Sequence, residues 1–440
     1  MEEPMVKRAI TLGGGGPAAG LHIGVLEALA NAGITFDVWA LSCIGAWVGI
    51  VYNQFDNVDN KDRAKQTHQF FKNGVFRDDE SYRRFPINTV FGPDWESIGK
   101  ALTNFVADPN TYKDLWDPNR VANAFRESMS LWFAQQPDTD GGKKFTSPDE
   151  GDVNRWVLNQ VLAPNPFVRY LTSMMYLSQV TGLSRINYPH SQFMKSINFD
   201  ALGRPEKPFI FHNAWNLDEH KLALFSNRPM PKKVDENKKV DGKEYKVPIS
   251  ASSLCACSAL PFVEETVEID GVTYCEGALV DTVNFESLLQ EHHKPGDELD
   301  EIWVSRIVDS KQVRKPENLH DALANLCQLF AATVGEDDVK LFKYHVRYDK
   351  PKSGEHPWKG TIVEIHVPGH ISFKWNHSNL DSGRQLGRIA AEQAIKAYYE
   401  HEKRPPHDGP HFINENPAES DEAGWREVKE AYHECRRRAA

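Results

Sequence analysis

Cysteine is scarce: six residues in 440, namely Cys43, Cys255, Cys257, Cys275, Cys327 and Cys435. That is too few to staple a chain this long, so a disulfide scaffold is excluded and free buried thiols are expected, as in a reducing compartment. Long apolar runs are missing too. Stretches such as Ala46 to Tyr52 fall far short of the roughly 18 residues of a membrane-crossing helix. The amino terminus, MEEPMVKRAITL, lacks the charged, apolar and small-residue succession of a signal peptide, which predicts a cytoplasmic protein. Basic charge is in deficit, with 51 Lys and Arg against 62 Asp and Glu for a net charge of −11. Nucleic acid is therefore not an expected partner, because its recognition needs a concentrated basic face. The basic stretches Lys232 to Lys246 and Arg436 to Arg438 read as a solvated loop and a helix end. No repeat period is visible.

What is present is an ordinary globular composition, 40% hydrophobic, 26% charged and 11% aromatic, with length enough for roughly three units of about 150 residues each. Arg8 to Leu12 reads as a short buried strand. A run of glycines follows, and then Leu21, Val25, Leu26 and Leu29 fall at helical spacing until Gly33. Phe36 to Leu41 is a second strand, and a helix begins at Ile44 after a sharp turn. Two strands joined by a crossover helix imply a parallel pair, with glycines at the carboxyl end of the first, where such sheets place ligands.

Residues 53–204 are rich in Trp, Phe and Tyr and read as a helical insertion or cap, with helices near Val121 to Gln135 and Asn154 to Ser178 and a loop from Pro137 to Asp152. Residues 1–52 and 205–400 form the expected core. Strands return at Phe209 to Phe211 and Ile302 to Val308. Leu319, Leu323, Leu326 and Phe330 share one helical face, and Gln385 to Tyr399 predicts another amphipathic helix. Residues 401–440 read as a tail, loop-like over Pro405 to Gly424 and closing in a short charged helix.

Three segments carry chemistry. LGGGGPAAGLHIG, Leu12 to Gly24, lies between a strand and a helix, so its amides and the helix dipole can hold an anion or an oxyanion. It is neither a dinucleotide fingerprint, since Ala18 stands where glycine is required, nor a phosphate loop. The turn around Ser42 and Cys43 is where hydrolases place a strained GxSxG elbow. Centred on Ser42 the flanks are Ala40 and Ile44; centred on Cys43 they are Leu41 and Gly45. A thiol at a helix start is expected to have its pKa lowered below roughly 8.5 by the dipole. The third segment is Ala256 to Glu286, with Pro261 ending one element, Asp270 and Gly271 turning a hairpin, and Glu276 with Gly277 closing its second strand.

Together these segments resemble the patatin-like phospholipases. In that family GGGxxG forms the oxyanion hole, a GxSxG elbow follows the next strand, and DGG or DGA carries the aspartate of a serine and aspartate dyad. Alignment through HIGVLEAL puts the three glycines on Gly14, Gly15 and Gly16. The elbow matches with Cys43 at the serine and Gly45 at the second glycine. YCEGALVDTV matches the family's YxDGGxxDN pattern with Glu276 at the aspartate, and ACSALPF resembles its alanine and serine stretch. Leu41 replaces the first elbow glycine, and Pro17, Ala18 and Ala19 stand where the family has a small residue, a basic residue and a glycine.

The resemblance implies an α/β fold with three α/β/α layers, a mainly parallel central sheet and a helical insertion. It implies catalytic roles for Cys43 and Glu276 and an oxyanion hole at Gly14, Gly15 and Gly16. Both dyad replacements keep a nucleophile and a carboxylate, so a working acyl hydrolase or acyltransferase on a lipid or acyl-thioester carrier is weighed above an inactive lipid- or protein-binding module. A thioester intermediate yields readily to amines and thiols, which favours acyl transfer. Peripheral contact with a membrane surface is a further expectation, and the oligomeric state stays open. Ser42 and Asp281 remain alternatives for nucleophile and acid. Asp270 is expected to be a turn residue, and His22 a packed or surface one. Cys255 and Cys257 lack a second ligand pair at zinc spacing, so no metal is expected, and no cofactor.

Overall fold

The structure is a computed structural model. Its described residues are 6–55, 59–84, 86, 91–92, 95–109, scattered positions between 119 and 170, 182–186, 191–229, 244–246, 248–292, 298–308, 313, 315–317, 319–348, 358–367, 372, 374–402 and 409–415. Two compact units divide the chain: Met1–Gly92 with Ser184–Ala440, and Pro93–Leu183.

The larger unit is built on a sheet whose strands are β1 (Arg8–Leu12), β2 (Val38–Leu41), β3 (Phe209–Asn216), β4 (Lys221–Ser226), β5 (Glu244–Lys246), β6 (Val267–Ile269), β7 (Val272–Glu276), β8 (Glu301–Arg306), β9 (Thr361–His366) and β10 (His411–Ile413). Their order is β6-β7-β3-β2-β1-β8-β9-β10, with β4 pairing β3 and β5 pairing β4. From β3 to β10 along this path every pair is parallel, whereas β7 joins β3 antiparallel. The helices that matter here are α1 (Ala19–Asn31), α2 (Ile44–Gln54), α3 (Asn60–Gly74), α4 (Ala251–Cys257), α5 (Phe285–His292), α6 (Leu319–Tyr348) and α7 (His377–Glu402).

Side chains alternate across a strand, and here both faces are covered. Ile10, Leu12, Trp39, Leu41, Ile210 and Trp303 pack with α1, α2, α3 and α7 on one face. Ala9, Val38, Ala40, Phe211, Ile302 and Val304 pack with α5 and α6 on the other. This is why β1 and β2 read as continuous apolar runs rather than alternating ones, and it gives the three layers that the resemblance implied. α1 and α7 cross closely on small residues: a Cβ on Gly20 or Gly24 would collide with the carbonyls of Leu380 or Arg384, and one on Gly387 with that of Leu21.

Several elements depart from the sequence expectation. α3 belongs to the larger unit because Ala64 and Phe71 are buried in the same core as α1 and α2, although residues from 53 on read as insertion. Phe70, Phe71 and Phe193 cluster with Trp47 at ring separations of 5.0 to 5.4 Å, so part of the aromatic richness is core. In α6 the buried positions among the described side chains are Ala324, Gln328, Ala332, Val339, Phe342 and Lys343, while Leu326 and Phe330 are about half exposed at 49% and 52%. Leu326 and Phe330 of the expected face thus lie off the buried one, which runs through the small Ala324 and Ala332. β10 falls inside the expected loop of Pro405 to Gly424 and adds a strand to β9.

In the smaller unit Trp95–Ala107 is a helix, Phe105 meets Tyr170 edge-on at 5.6 Å, and Gln135–Pro137 pairs antiparallel with Lys143–Phe145 across the expected loop. Most of the helices expected near Val121 to Gln135 and Asn154 to Ser178 lies outside the described residues, as do the closing charged helix and Cys435. Among the described residues no helix is long and apolar enough to cross a membrane.

Candidate active site

The register of one strand brings distant residues together. Leu41 at the end of β2 pairs with His212 on β3, and Glu276 at the end of β7 pairs with Ala214 on the same strand. Two residues along a strand span roughly 7 Å, so the elbow following β2 and the acid ending β7 arrive side by side. The hairpin that delivers Glu276 turns on Asp270 and Gly271, both at positive φ (53° and 78°), the conformation of a tight two-residue turn. Gly277 follows because a Cβ there would run into the main chain of Asn213 and Ala214.

Cys43 sits at the N-cap of α2 with φ 48° and ψ −124°, a region a non-glycine residue occupies at a cost of order 1–3 kcal/mol. The surroundings hold it there. The Ser42 amide donates to the Leu12 carbonyl, the Gly45 amide to Ser42 and the Ala46 amide to Cys43, each at 2.9 Å. Gly45 leaves no space for a Cβ against Leu12, which accounts for the second elbow glycine. The strained strand-to-helix turn sends the side chain of Cys43 toward Glu276 and that of Ser42 toward Asn213 and Asn284.

Ser42 is completely buried and belongs to a closed ring. Its hydroxyl donates to Asn213 at 3.1 Å, Asn213 donates to Asn284 at 3.1 Å, and Asn284 donates back to Ser42 at 3.0 Å. Asp281 accepts from the amides of Val283 (3.2 Å) and Asn284 (2.6 Å), the arrangement of a turn-forming acid. Neither of these two alternatives meets the other; Cys43 and Glu276 do. Their side chains adjoin, each acting on the ionisation of the other, and both are nearly buried, at 9% and 7% exposure.

Burial decides the protonation of this pair. It pushes the Glu276 carboxyl up to about 7, against the pull of the adjoining thiol. Burial, then the charge of Glu276 and the neighbouring thiol of Cys257, raise the Cys43 thiol well above its ordinary value, and the Ile44 amide only partly opposes them. The lowered thiol pKa expected from the helix dipole is therefore overturned: desolvation and a facing carboxylate outweigh one helix end. The resting pair is a neutral thiol beside a carboxyl that titrates near neutrality.

The glycine loop closes the other side. A Cβ on Gly14 would lie 3.1 Å from the Cys43 Cβ and 3.5 Å from Glu276 Oε1, so only glycine lets the loop approach. Gly16 takes φ 58°. Among the described residues the amides of Gly14, Gly15 and Gly16 donate to no protein acceptor, and no side chain caps the start of α1. His22 anchors the loop. Its buried Nε2–H donates to the Gly13 carbonyl at 2.9 Å and its Nδ1 accepts from Ser305 at 3.0 Å, and burial lowers its pKa to about 4, so it is neutral and structural.

Two further residues were not legible as site residues. Cys257, at the end of α4, accepts the Cys43 amide at 3.0 Å on its sulfur. Glu264 is buried, with Oε2 lacking a hydrogen-bond partner among the described residues, and burial raises its carboxyl to about 8, with Glu276 adding to the rise. A polar residue inside a buried strand, as in FIFHNAWN, was the available signal for Asn213. Among the described residues no group of three metal-ligating side chains converges.

The family model for patatin-like phospholipase matches residues 10–289, which takes in the glycine loop, the elbow and the Glu276 hairpin. Among solved structures the chain is similar to one titled as the crystal structure of VipD from Legionella pneumophila, at 11% identity and a TM-score of 0.34, over 89% of this chain and 67% of that one. A search of curated proteins gave no match. With a matched region that spans well over half of its length, the chain belongs to the patatin-like phospholipase family, whose members are in general lipid acyl hydrolases.

Proposed function

We propose that this chain is an acyl hydrolase or acyltransferase that acts on lipid esters or acyl thioesters through Cys43. The observation that carries this reading is the adjoining Cys43 and Glu276 pair at a positive-φ elbow, beside a glycine loop at Gly14 whose amides donate to no acceptor among the described residues. As the sulfur adds to the acyl carbonyl, its proton passes to ionised Glu276 and the carbonyl electrons move onto oxygen. Amides of Gly14, Gly15 and Gly16 stabilise that oxyanion. Collapse re-forms the carbonyl and breaks the bond to the leaving oxygen or sulfur, which takes the proton from Glu276. The acyl group is then a thioester on Cys43. Water, an amine or a thiol attacks it, gives up a proton to Glu276, and releases Cys43 as thiolate, which Glu276 reprotonates.

This route needs no preformed thiolate, which fits a thiol held well above its ordinary pKa. The test is turnover of p-nitrophenyl and coenzyme A esters of graded chain length, with trapping of the acyl-enzyme at acid pH. A thioester adduct mapped to Cys43 is expected; a Cys43→Ala protein with undiminished turnover would sink the proposal. Co-purified lipid without any turnover would point instead to a binding module.

A further inference from the structure

Cys257 has a role that neither the motif nor the acyl chemistry requires. It is the last residue of α4, is fully buried, and its sulfur accepts the Cys43 amide at 3.0 Å. An N–Cα bond of about 1.46 Å therefore puts that sulfur within about 4.5 Å of the Cys43 Cα. Disulfides join Cα atoms about 4.4–6.8 Å apart, a span this contact allows. Both residues lie at helix ends, where a side chain can turn without breaking a helical ladder. Cys255 does not compete, since two residues along a helix its side chain points about 200° away. Among the described residues no other thiol is hydrogen-bonded to the Cys43 backbone.

We propose that Cys43 and Cys257 are a redox pair, which a peroxide converts to a reversible disulfide that turns the site off and protects its nucleophile. The oxidant is hydrogen peroxide or an organic hydroperoxide. Cys43 passes its proton to Glu276, and its sulfur attacks one peroxide oxygen. The O–O bond breaks, and the departing hydroxide or alkoxide takes the proton from Glu276, leaving a sulfenic acid on Cys43. The Cys257 sulfur then attacks the Cys43 sulfur; the S–O bond breaks, hydroxide takes the Cys257 proton, and water leaves. Two thiols have lost two electrons and two hydrogens to one peroxide. Without the second thiol the sulfenic acid would advance to sulfinic and sulfonic acids, which dithiols do not reverse.

The loss of activity rests on the acyl-transfer reading; the disulfide rests on the contact alone. The full chain is treated with a small excess of hydrogen peroxide, remaining thiols are blocked with N-ethylmaleimide, and peptides are mapped without reductant. Expected is a cross-linked peptide pair carrying Cys43 and Cys257, two hydrogens lighter, with esterase activity lost and then regained in dithiothreitol. In Cys257→Ser, compared with its own untreated activity, the same dose leaves sulfinic or sulfonic Cys43 and a loss that dithiothreitol does not restore. Cys43 oxidised without the cross-link, or both thiols still blocked after a dose that oxidises other cysteines, overturns the proposal. The mass readout in wild type stands even if the variant fails to fold. A Cys43→Ala protein with full turnover would remove the acyl-transfer reading and leave the cross-link result untouched.

Discussion

At the scale of single residues, the proposed chemistry turns on one proton between Cys43 and Glu276. Removing the sulfur in Cys43→Ala is expected to lower kcat/KM on the order of 10³-fold or more, whereas Cys43→Ser restores an oxygen nucleophile and retains measurable hydrolysis. Glu276→Gln keeps the size and removes the base, for a loss on the order of 10²–10⁴-fold. The base must be ionised to accept the proton, and burial holds Glu276 near 7. The kcat/KM of wild type should therefore rise with pH and level off above about 7, and the rise should be missing from Glu276→Gln. Ser42 offers a contrast, because it sits in a ring with Asn213 and Asn284. Ser42→Ala should destabilise by about 1–3 kcal/mol through the unpaired amides, read as a lower urea midpoint, while thioester formation at Cys43 persists.

At the scale of elements, what matters is how closely backbones approach. α1 starts at the glycine loop and crosses α7 on Gly20, Gly24, Gly383 and Gly387, with Glu27 and Arg384 paired at 2.7 and 2.8 Å beside the crossing. Gly24→Leu forces the helices apart, at a cost of about 1–3 kcal/mol or more for overpacking. A denaturant midpoint equal to wild type would contradict this close crossing. Much at this level was legible in advance. The strand, glycine loop, helix, strand and elbow follow from spacing and from the glycines, and Asp270 with Gly271 marked its hairpin. The buried face of α6 was not legible, because Ala324 and Ala332 carry little hydrophobic signal although they lie against other elements, whereas the conspicuous Leu326 and Phe330 face out.

For the whole molecule, buried ionisable groups shape the response to pH. Glu276, Glu264 and Asp338 have carboxyls raised to about 7, 8 and 7, so above pH 6.5 the folded chain holds protons that the unfolded chain has released. Stability should therefore fall as pH rises from 6.5 to 8. At the other end Glu364 and Asp381 are lowered to about 2 by their cationic partners. Their contribution is present above about 4.5 and is lost as pH falls toward 2. Between 4.5 and 6.5 the neutral buried His22 and His212, each lowered to about 4, oppose the raised acids. Urea midpoints at pH 3, 5.5 and 8 should be highest at 5.5, and Glu276→Gln should gain on wild type as pH rises from 4.5 to 7.

The sequence by itself determined the local features: a glycine loop after β1, a thiol and a serine at a tight turn, an acid closing a hairpin, and through them the family. Those features depend on backbone freedom and periodicity over a few residues, which spacing records. The tertiary structure decided which of Ser42 and Cys43 faces the acid, that the thiol rests protonated, and that Cys257 touches the elbow. These outcomes depend on the register of β2 and β7 against β3 and on burial from water, and both arise only when segments distant in the sequence are packed together.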